Sequence, residues 1–227
     1  LLELTKPVAT AVVPISAGRH IYKRESSFPI AVACDPAFNF VYEANIRYLH
    51  HLGEVTYFSP LADTSLPDAG FVYLPGGYPE LYLAALSANR QMLQSIRRYV
   101  ESGGKLLAEC GGMMYLCDEI RDKNGDVYPM AGVLHQSATM ENMKLRLGYR
   151  TLLYNETRLK GHEFHYSRLV EQQNPLPSCA VAYTAKGVET DTPLYHYKNV
   201  WAGYTHLYWA DPVGNEWFTK FVIDGNT

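Results

Sequence analysis

The stretch LLAECGGMMYL, residues 106–116, runs from an apolar segment straight into a cysteine that two glycines follow. The segment before the cysteine predicts a β-strand, and the segment after it predicts a helix. A cysteine between them suits a nucleophile elbow, a sharp turn that leaves no room for large residues two positions away. Ala108 and Gly112 occupy those positions and are both small. The stretch therefore favours Cys110 as a reactive nucleophile over the alternative, an inert buried thiol at the end of a strand.

Strands and helices alternate on both sides of this turn. Because the predicted strands are apolar throughout, we expect a parallel sheet that is covered on both faces, which is an α/β fold. Short apolar runs predict strands over residues 29–34, 54–60, 70–77 and 105–110, and amphipathic runs predict helices over residues 38–53, 86–104 and 112–120.

The first predicted helix has a clear apolar stripe. Apolar groups recur at Phe40, Ala44, Tyr48 and Leu52, which predicts one buried face. Gly53 follows, and a glycine there predicts that a left-handed cap ends the helix.

The pattern changes after the turn predicted at Asn124–Gly125. Residues 127–209 are rich in Tyr, Thr, Val and Leu and have little helical periodicity, which predicts further strands of the same domain. Residues 215–223 predict a closing helix. A polar, basic stretch precedes the first strand, so we expect residues 1–27 to be a linker or the remnant of another domain, and residues 28–227 to form one domain.

The composition argues against several classes of protein. The 227 residues carry a net charge of −3, which provides no basic surface for nucleic acid. No apolar run approaches the ~20 residues of a membrane span. The four cysteines lie far apart without a CxxC pair, so they predict neither a disulfide framework nor a zinc site. We therefore expect a cytoplasmic protein.

A cysteine nucleophile needs a base, and it needs N–H donors for the charge that develops on the substrate oxygen. Gly111, directly after the cysteine, offers one such N–H. In YLPGGYPE, Gly76 or Gly77 can bring a second N–H close to a ligand, although this pair also suits an ordinary turn with Pro79 in the first helical turn. His206, in WAGYTHLYW, is a polar ring at the end of an aromatic strand, which suits either a base or a hydrogen-bonded core histidine.

The segment GHEFHYS brings His162, Glu163, His165 and Tyr166 together. The spacing is not that of HExxH and places no third ligand, so we predict no metal site. On a strand, Glu163 and His165 share one face, while His162 and Tyr166 lie on the other. A polar binding surface is favoured, with structural hydrogen bonding as the alternative.

Six motifs occur in the order typical of one family: LPGGYPE, AECGGMMYL, YPMAGVL, LRLGYR, GHEFHYSR and GYTHLYW. From about Pro29 onward the chain resembles the C-terminal glutamine amidotransferase domain of cobyrinic acid a,c-diamide synthases. The resemblance implies a class I glutamine amidotransferase-like (flavodoxin-like) fold, with a mostly parallel sheet, helices on both faces and extra strands in the C-terminal half. It also implies that glutamine is hydrolysed through a cysteinyl thioester.

The resemblance further implies the role of each candidate residue. Cys110 is the nucleophile, His206 is the base, and Gly77 and Gly111 donate to the oxyanion. The wider class has an acidic residue two positions after the histidine, where this chain has Tyr208, so a catalytic dyad is implied.

The sequence leaves open what holds His206 in place. Glu163 is one candidate for this role. Gly76 and His165 are further candidates for substrate binding or support.

The family also implies partners. Ammonia passes to an N-terminal synthetase domain of the same protein, where ATP and Mg²⁺ activate the a and c carboxylates of a tetrapyrrole at the domain interface. No cofactor is expected in this chain, whose ESGGKLL lacks the spacing of a phosphate loop. Two alternatives are also compatible with the sequence: a related synthase that acts on nickel sirohydrochlorin, and a non-catalytic partner domain.

Overall fold

The computed structural model describes residues 28–224, and the expected alternation of strands and helices is present. Within that range the helices are α1 (Glu43–Leu52), α2 (Leu83–Ala88), α3 (Arg90–Glu101), α4 (Gly111–Leu116) and α5 (Pro212–Thr219), with a 3₁₀ turn at Pro79–Leu81 and a π-helical turn at Lys220–Asp224. The strands are β1 (Pro29–Ala33), β2 (Glu54–Phe58), β3 (Phe71–Leu74), β4 (Lys105–Glu109), β5 (Glu119–Arg121), β6 (Val127–Pro129), β7 (Ser137–Thr139), β8 (Arg146–Tyr154), β9 (Thr157–His165), β10 (Arg168–Leu169), β11 (Val181–Thr184), β12 (Glu189–Thr190), β13 (Leu194–Tyr197), β14 (Val200–Gly203) and β15 (His206–Tyr208).

The main sheet has six strands in the order β13-β14-β4-β3-β1-β2. All neighbouring pairs are parallel except β13 with β14, so the prediction of a mostly parallel sheet is confirmed. Strands β3, β4 and β14 lie side by side at its centre, and the carboxyl ends of parallel strands are where α/β folds place their ligands.

Apolar side chains cover both faces of this sheet, because alternate residues of each strand point in opposite directions. On one face, side chains such as Val72 and Leu106 pack against helices α2, α3 and α4. On the other, side chains such as Phe71 and Trp201 pack against α1, α5 and strands of a second sheet. The expectation of helices on both faces is confirmed.

The C-terminal half adds two smaller sheets, as the strand-rich sequence predicts. One has the order β12-β11-β8-β9-β15, and the other has the order β10-β7-β5-β6. Strand β15 therefore belongs to a different sheet from β4, which leads into the cysteine turn. The predicted nucleophile and the predicted base thus belong to two different sheets, whose relative position must be fixed for the two residues to work together.

Two details of the first predicted helix are wrong. Helix α1 begins only at Glu43, and its buried residues are Asn45, Leu49 and Leu52. Phe40 precedes the helix, and its ring lies against His206. Gly53 has φ −169°, which is extended rather than left-handed. Glycine is required there for space, because a Cβ would lie 2.0 Å from the Phe28 carbonyl oxygen.

Two other helices differ in length from their predictions. The helix predicted over residues 86–104 is two helices, because the Asn89 side chain caps the second one by accepting from the Met92 N–H. The helix predicted over residues 112–120 ends at Leu116, and residues 119–121 pair as a strand. The predicted division at residue 27 lies outside the described residues. No described helix is long and apolar enough to cross a membrane.

Candidate active site

Cys110 lies on a strained turn between β4 and α4. Its backbone angles are φ 49° and ψ −106°, a conformation that a residue with a side chain rarely adopts. Such strain costs on the order of 1–3 kcal/mol and is found where the surrounding structure holds a functional side chain in place. Gly112 permits the turn, because a Cβ there would lie 2.1 Å from the Leu74 carbonyl oxygen. The predicted elbow is confirmed.

The Cys110 thiol is almost fully buried, with 4% of the residue exposed. Its Sγ lies 3.9 Å from the Phe164 carbonyl oxygen, which can accept the thiol proton. Burial raises the pKa of Cys110 to about 12; the negative charge of Glu80 adds to the rise, and the Gly111 N–H opposes it. The start of α4 therefore does not favour a thiolate, because desolvation outweighs the N–H donor.

The Gly111 and Gly77 N–H groups lie close together beside the thiol. Gly111 donates towards the Cys110 sulfur, and a Cβ on Gly111 would lie 3.2 Å from the Gly77 nitrogen. Gly77 also lines the cavity that contains Cys110. Two N–H groups at such a position can stabilise an oxyanion that forms on a carbonyl attacked by the thiol.

His206 is the first residue of β15 and is buried. Its ring packs against Phe40, with 4.3 Å between the ring centroids, and it abuts Gly76, where a Cβ would lie 2.1 Å from Cε1. Burial, together with the neighbouring His162 and His165, lowers the pKa of His206 to about 3. A neutral imidazole can accept a proton, as the proposed base must.

No hydrogen bond orients the His206 ring through Nδ1, which is buried and unpartnered among the described residues. Glu163, the candidate for this role, instead places Oε2 2.8 Å from Arg150 Nη2 and accepts a hydrogen bond from the Thr205 hydroxyl at 3.4 Å. The contacts of Glu163 therefore reach the residue before His206 and not its ring.

His165 shares a strand face with Glu163, as predicted, and its Nε2 lies 4.0 Å from Glu163 Oε2. Its Nδ1 is 2.9 Å from the Ser167 carbonyl oxygen, and its ring stacks on Tyr204 at 3.8 Å. Burial lowers the pKa of His165. Since His165 also lines the Cys110 cavity, it can contact whatever enters there.

The cavity at Cys110 is small, with a volume of about 20 Å³, which is enough for roughly one water molecule. Tyr78 and Tyr166 lie at its edge and are both partly exposed. A larger cavity of about 590 Å³ shares His165 and Ser167 with it. The thiol is thus enclosed, and an amide substrate can reach it only after the residues around the small cavity move apart.

Sequence reasoning missed Glu109 and Asn45, which are among the buried polar residues near this site. Glu109 directly precedes Cys110 and binds the backbone of Leu207 and the hydroxyl of Tyr73. Asn45 also binds the backbone of β15. In the sequence, Glu109 could have been singled out as an acidic residue that follows the apolar run 106–108 at the end of a predicted strand. Asn45 carried no local signal.

Comparisons with known proteins agree on the family. Residues 29–213 match the CobB/CobQ-like glutamine amidotransferase domain. The hydrogenobyrinate a,c-diamide synthase of Pseudomonas aeruginosa is 40% identical over 212 residues, which are 91% of this chain and 46% of that protein. The cobyrinate a,c-diamide synthase of Fusobacterium nucleatum is 40% identical over 188 residues, 79% of this chain and 41% of that protein. The chain thus spans less than half the length of these curated relatives.

Solved structures show the same fold at low identity. The structure of PurLQS from Thermotoga maritima matches with a TM-score of 0.55 at 16% identity, covering 88% of this chain and 97% of that one. A crystal structure of a glutamine amidotransferase matches with a TM-score of 0.54 at 17% identity, covering 85% and 98%. With its strained cysteine elbow and its match over residues 29–213, the chain belongs to the CobB/CobQ-like glutamine amidotransferase domain family.

Proposed function

We propose that this chain is the glutaminase part of an a,c-diamide synthase, in which Cys110 and His206 release ammonia from glutamine. The strained elbow carries this proposal. At this elbow the thiol lies beside the Gly111 N–H, and Gly77 lines the same cavity, which supports the proposal. A buried structural cysteine has no need of such a backbone, and a domain that only docks has no need of a neutral, buried imidazole at the start of β15.

The proposed reaction begins when the Cys110 sulfur attacks the side-chain amide carbon of glutamine and the thiol proton passes to His206. The Gly77 and Gly111 N–H groups stabilise the oxyanion. His206 then gives its proton to the leaving nitrogen, which departs as ammonia and leaves a glutamyl thioester. Water hydrolyses the thioester and regenerates the thiol. Because both groups start neutral, no charge has to be buried before the substrate arrives.

The remaining parts of the proposal concern the whole protein. Since the curated relatives are about twice as long, we place an ATP- and Mg²⁺-dependent synthetase domain before this chain, with a tetrapyrrole substrate at the interface. We assign the Mg²⁺ to that domain, together with the ATP whose phosphates it would bind. All four cysteines are free, which supports a cytoplasmic location.

The test of the glutaminase role measures glutamate formed from glutamine and the labelling of Cys110 by diazo-oxo-norleucine, a glutamine-like electrophile. We expect slow turnover that is lost in Cys110→Ala, and label on Cys110 identified by mass spectrometry. Cys117→Ala is the matched control, because Cys117 is also buried and lies at the other end of α4 from Cys110. Turnover that survives in Cys110→Ala would refute the role, and so would a wild-type chain that neither turns over nor labels.

A second experiment identifies the acceptor. The full-length protein, with ATP, Mg²⁺ and glutamine, is offered cobyrinate, hydrogenobyrinate or nickel sirohydrochlorin, and diamide formation is followed by mass spectrometry. The names of the relatives favour the two corrin substrates. Amidation of nickel sirohydrochlorin alone would refute the corrin assignment and leave the glutaminase role intact.

A further inference from the structure

Glu109 is a fully buried carboxylate between the nucleophile and the strand that carries the base. It is the last residue of β4 and immediately precedes Cys110, with 1% of its surface exposed. Its Oε2 accepts a hydrogen bond from the Tyr73 hydroxyl at 2.6 Å, and its Oε1 accepts one from the Leu207 N–H at 3.0 Å. Leu207 directly follows His206. A buried carboxylate is costly unless hydrogen bonds compensate it, and these two bonds do so on both carboxylate oxygens.

Within residues 28–224, strand β15 has a neighbouring strand on only one edge. It pairs with β9 through His206 opposite His162, and side chains bind the other edge. Glu109 takes the Leu207 N–H, while Asn45 donates from Nδ2 to the Leu207 carbonyl oxygen at 2.8 Å and accepts from the Trp209 N–H at 3.1 Å. These side chains satisfy the backbone groups that a further strand would otherwise bind.

The link matters because the two catalytic candidates lie on different sheets. Cys110 follows β4 of the main sheet, and His206 begins β15 of the second sheet. The Glu109 carboxylate joins the residue before the nucleophile to the residue after the base. Nδ1 of His206 has no hydrogen-bond partner among residues 28–224, so the ring depends on the backbone of β15 and on packing against Gly76, Phe40 and His162.

We propose that Glu109 is a positioning residue for His206: by holding the Leu207 N–H, its carboxylate fixes the strand that carries the imidazole and so fixes the place of the ring. This inference rests on the proposed role of His206 as base. In the wider class, an acidic residue two positions after the histidine orients the ring, and this chain has Tyr208 there. Here Glu109, the residue before the nucleophile, would do so by binding the backbone next to the histidine.

The test compares Glu109→Gln with Glu109→Leu in the chain. Glutamine keeps an oxygen that can accept from the Leu207 N–H, whereas leucine fills similar space without an acceptor. We expect Glu109→Gln to retain kcat within about threefold. In Glu109→Leu, kcat should fall about 100-fold with KM nearly unchanged, because a displacement of the base by about 1 Å lowers the reaction rate by about that factor. Cys110 labelling by diazo-oxo-norleucine should slow in parallel.

Two further measurements keep the proposal testable. The ¹³C–¹H signal of His206 in ¹³C-histidine-labelled protein should shift or broaden in Glu109→Leu and stay in place in Glu109→Gln, whether or not the chain turns over glutamine. If Glu109→Leu does not fold, Tyr73→Phe replaces it. This variant removes the hydrogen bond to one oxygen of the carboxylate and should lower kcat at constant KM.

Wild-type kcat and an unmoved His206 signal in a folded Glu109→Leu or Tyr73→Phe would overturn the proposal. Equal losses in the Gln and Leu variants would overturn it as well. A moved His206 signal in a chain without glutaminase activity would support the positioning role and refute the proposed function alone.

Discussion

Replacing Gly76 by alanine should disable the site by moving the His206 ring. A Cβ at position 76 would lie 2.1 Å from Cε1 of His206, where ordinary contact begins at 3.4 Å. The ring must therefore retreat by about 1.3 Å or turn out of its place against Phe40. Gly76 has no left-handed backbone angle, so alanine fits its conformation and the collision is the whole effect. A displacement of about 1 Å from a reacting group costs on the order of 100-fold in rate.

The assay measures kcat and KM for glutaminase, the rate of Cys110 labelling by diazo-oxo-norleucine, and thermal stability. We expect kcat and the labelling rate to fall about 100-fold. The free energy of unfolding should fall by about 1–3 kcal/mol, as is usual when a side chain is forced into a packed region. Gly104→Ala is the matched control. Its Cβ would lie 2.4 Å from the Tyr99 ring, a similar collision at the other end of β4 from Cys110.

The comparison separates positioning from a general loss of packing. Gly104→Ala should lose comparable stability and keep its activity. If folded Gly76→Ala turns over glutamine and labels within about threefold of wild type, then contact with Gly76 does not hold the ring in the working enzyme. If Gly104→Ala loses as much activity as Gly76→Ala, then general packing, and not the position of the His206 ring, determines turnover.

Three more predictions follow from buried groups. Arg150→Met should lower the free energy of unfolding by about 3–5 kcal/mol in urea denaturation, because it removes the cation that pairs with the fully buried Glu163. Adding Glu163→Gln should recover much of this loss. If the losses of the two substitutions instead add, the prediction is wrong. Alkylation of Cys110 by iodoacetamide, mapped by mass spectrometry, should still accelerate between pH 9 and pH 10, since burial raises the pKa of the thiol to about 12; a plateau near pH 8 would show a far more acidic thiol. Burial raises the pKa of Glu109 from 4.5 to about 7, so wild type should lose about 3 kcal/mol relative to Glu109→Gln as the pH rises from 4.5 through 7; parallel stability curves for the two proteins would refute this.

The turn at Cys110 was predictable because all its determinants are neighbours in the sequence. The apolar strand, the small residues at 108 and 112 and the following helix lie within about ten positions, and they specify the elbow that the structure contains. The start of α1 was not predictable in the same way. Phe40 continues the apolar period of that helix, yet its backbone N–H pairs with the Gly76 carbonyl oxygen and its ring lies against His206. A tertiary contact decides between two uses of the same apolar residue.

The support of His206 was hidden from the sequence for a related reason. Asn45 lies 162 positions from Leu207, and Glu109 lies 98 positions from it, so no local pattern connects them. The position two residues after the histidine holds Tyr208, which is not acidic. The other candidate acid, Glu163, forms an ion pair with Arg150. The fold places the relevant carboxylate beside the nucleophile, where β4 passes β15. Because that carboxylate binds backbone rather than the ring, its presence depends on the topology of two sheets, and only the three-dimensional arrangement reveals it.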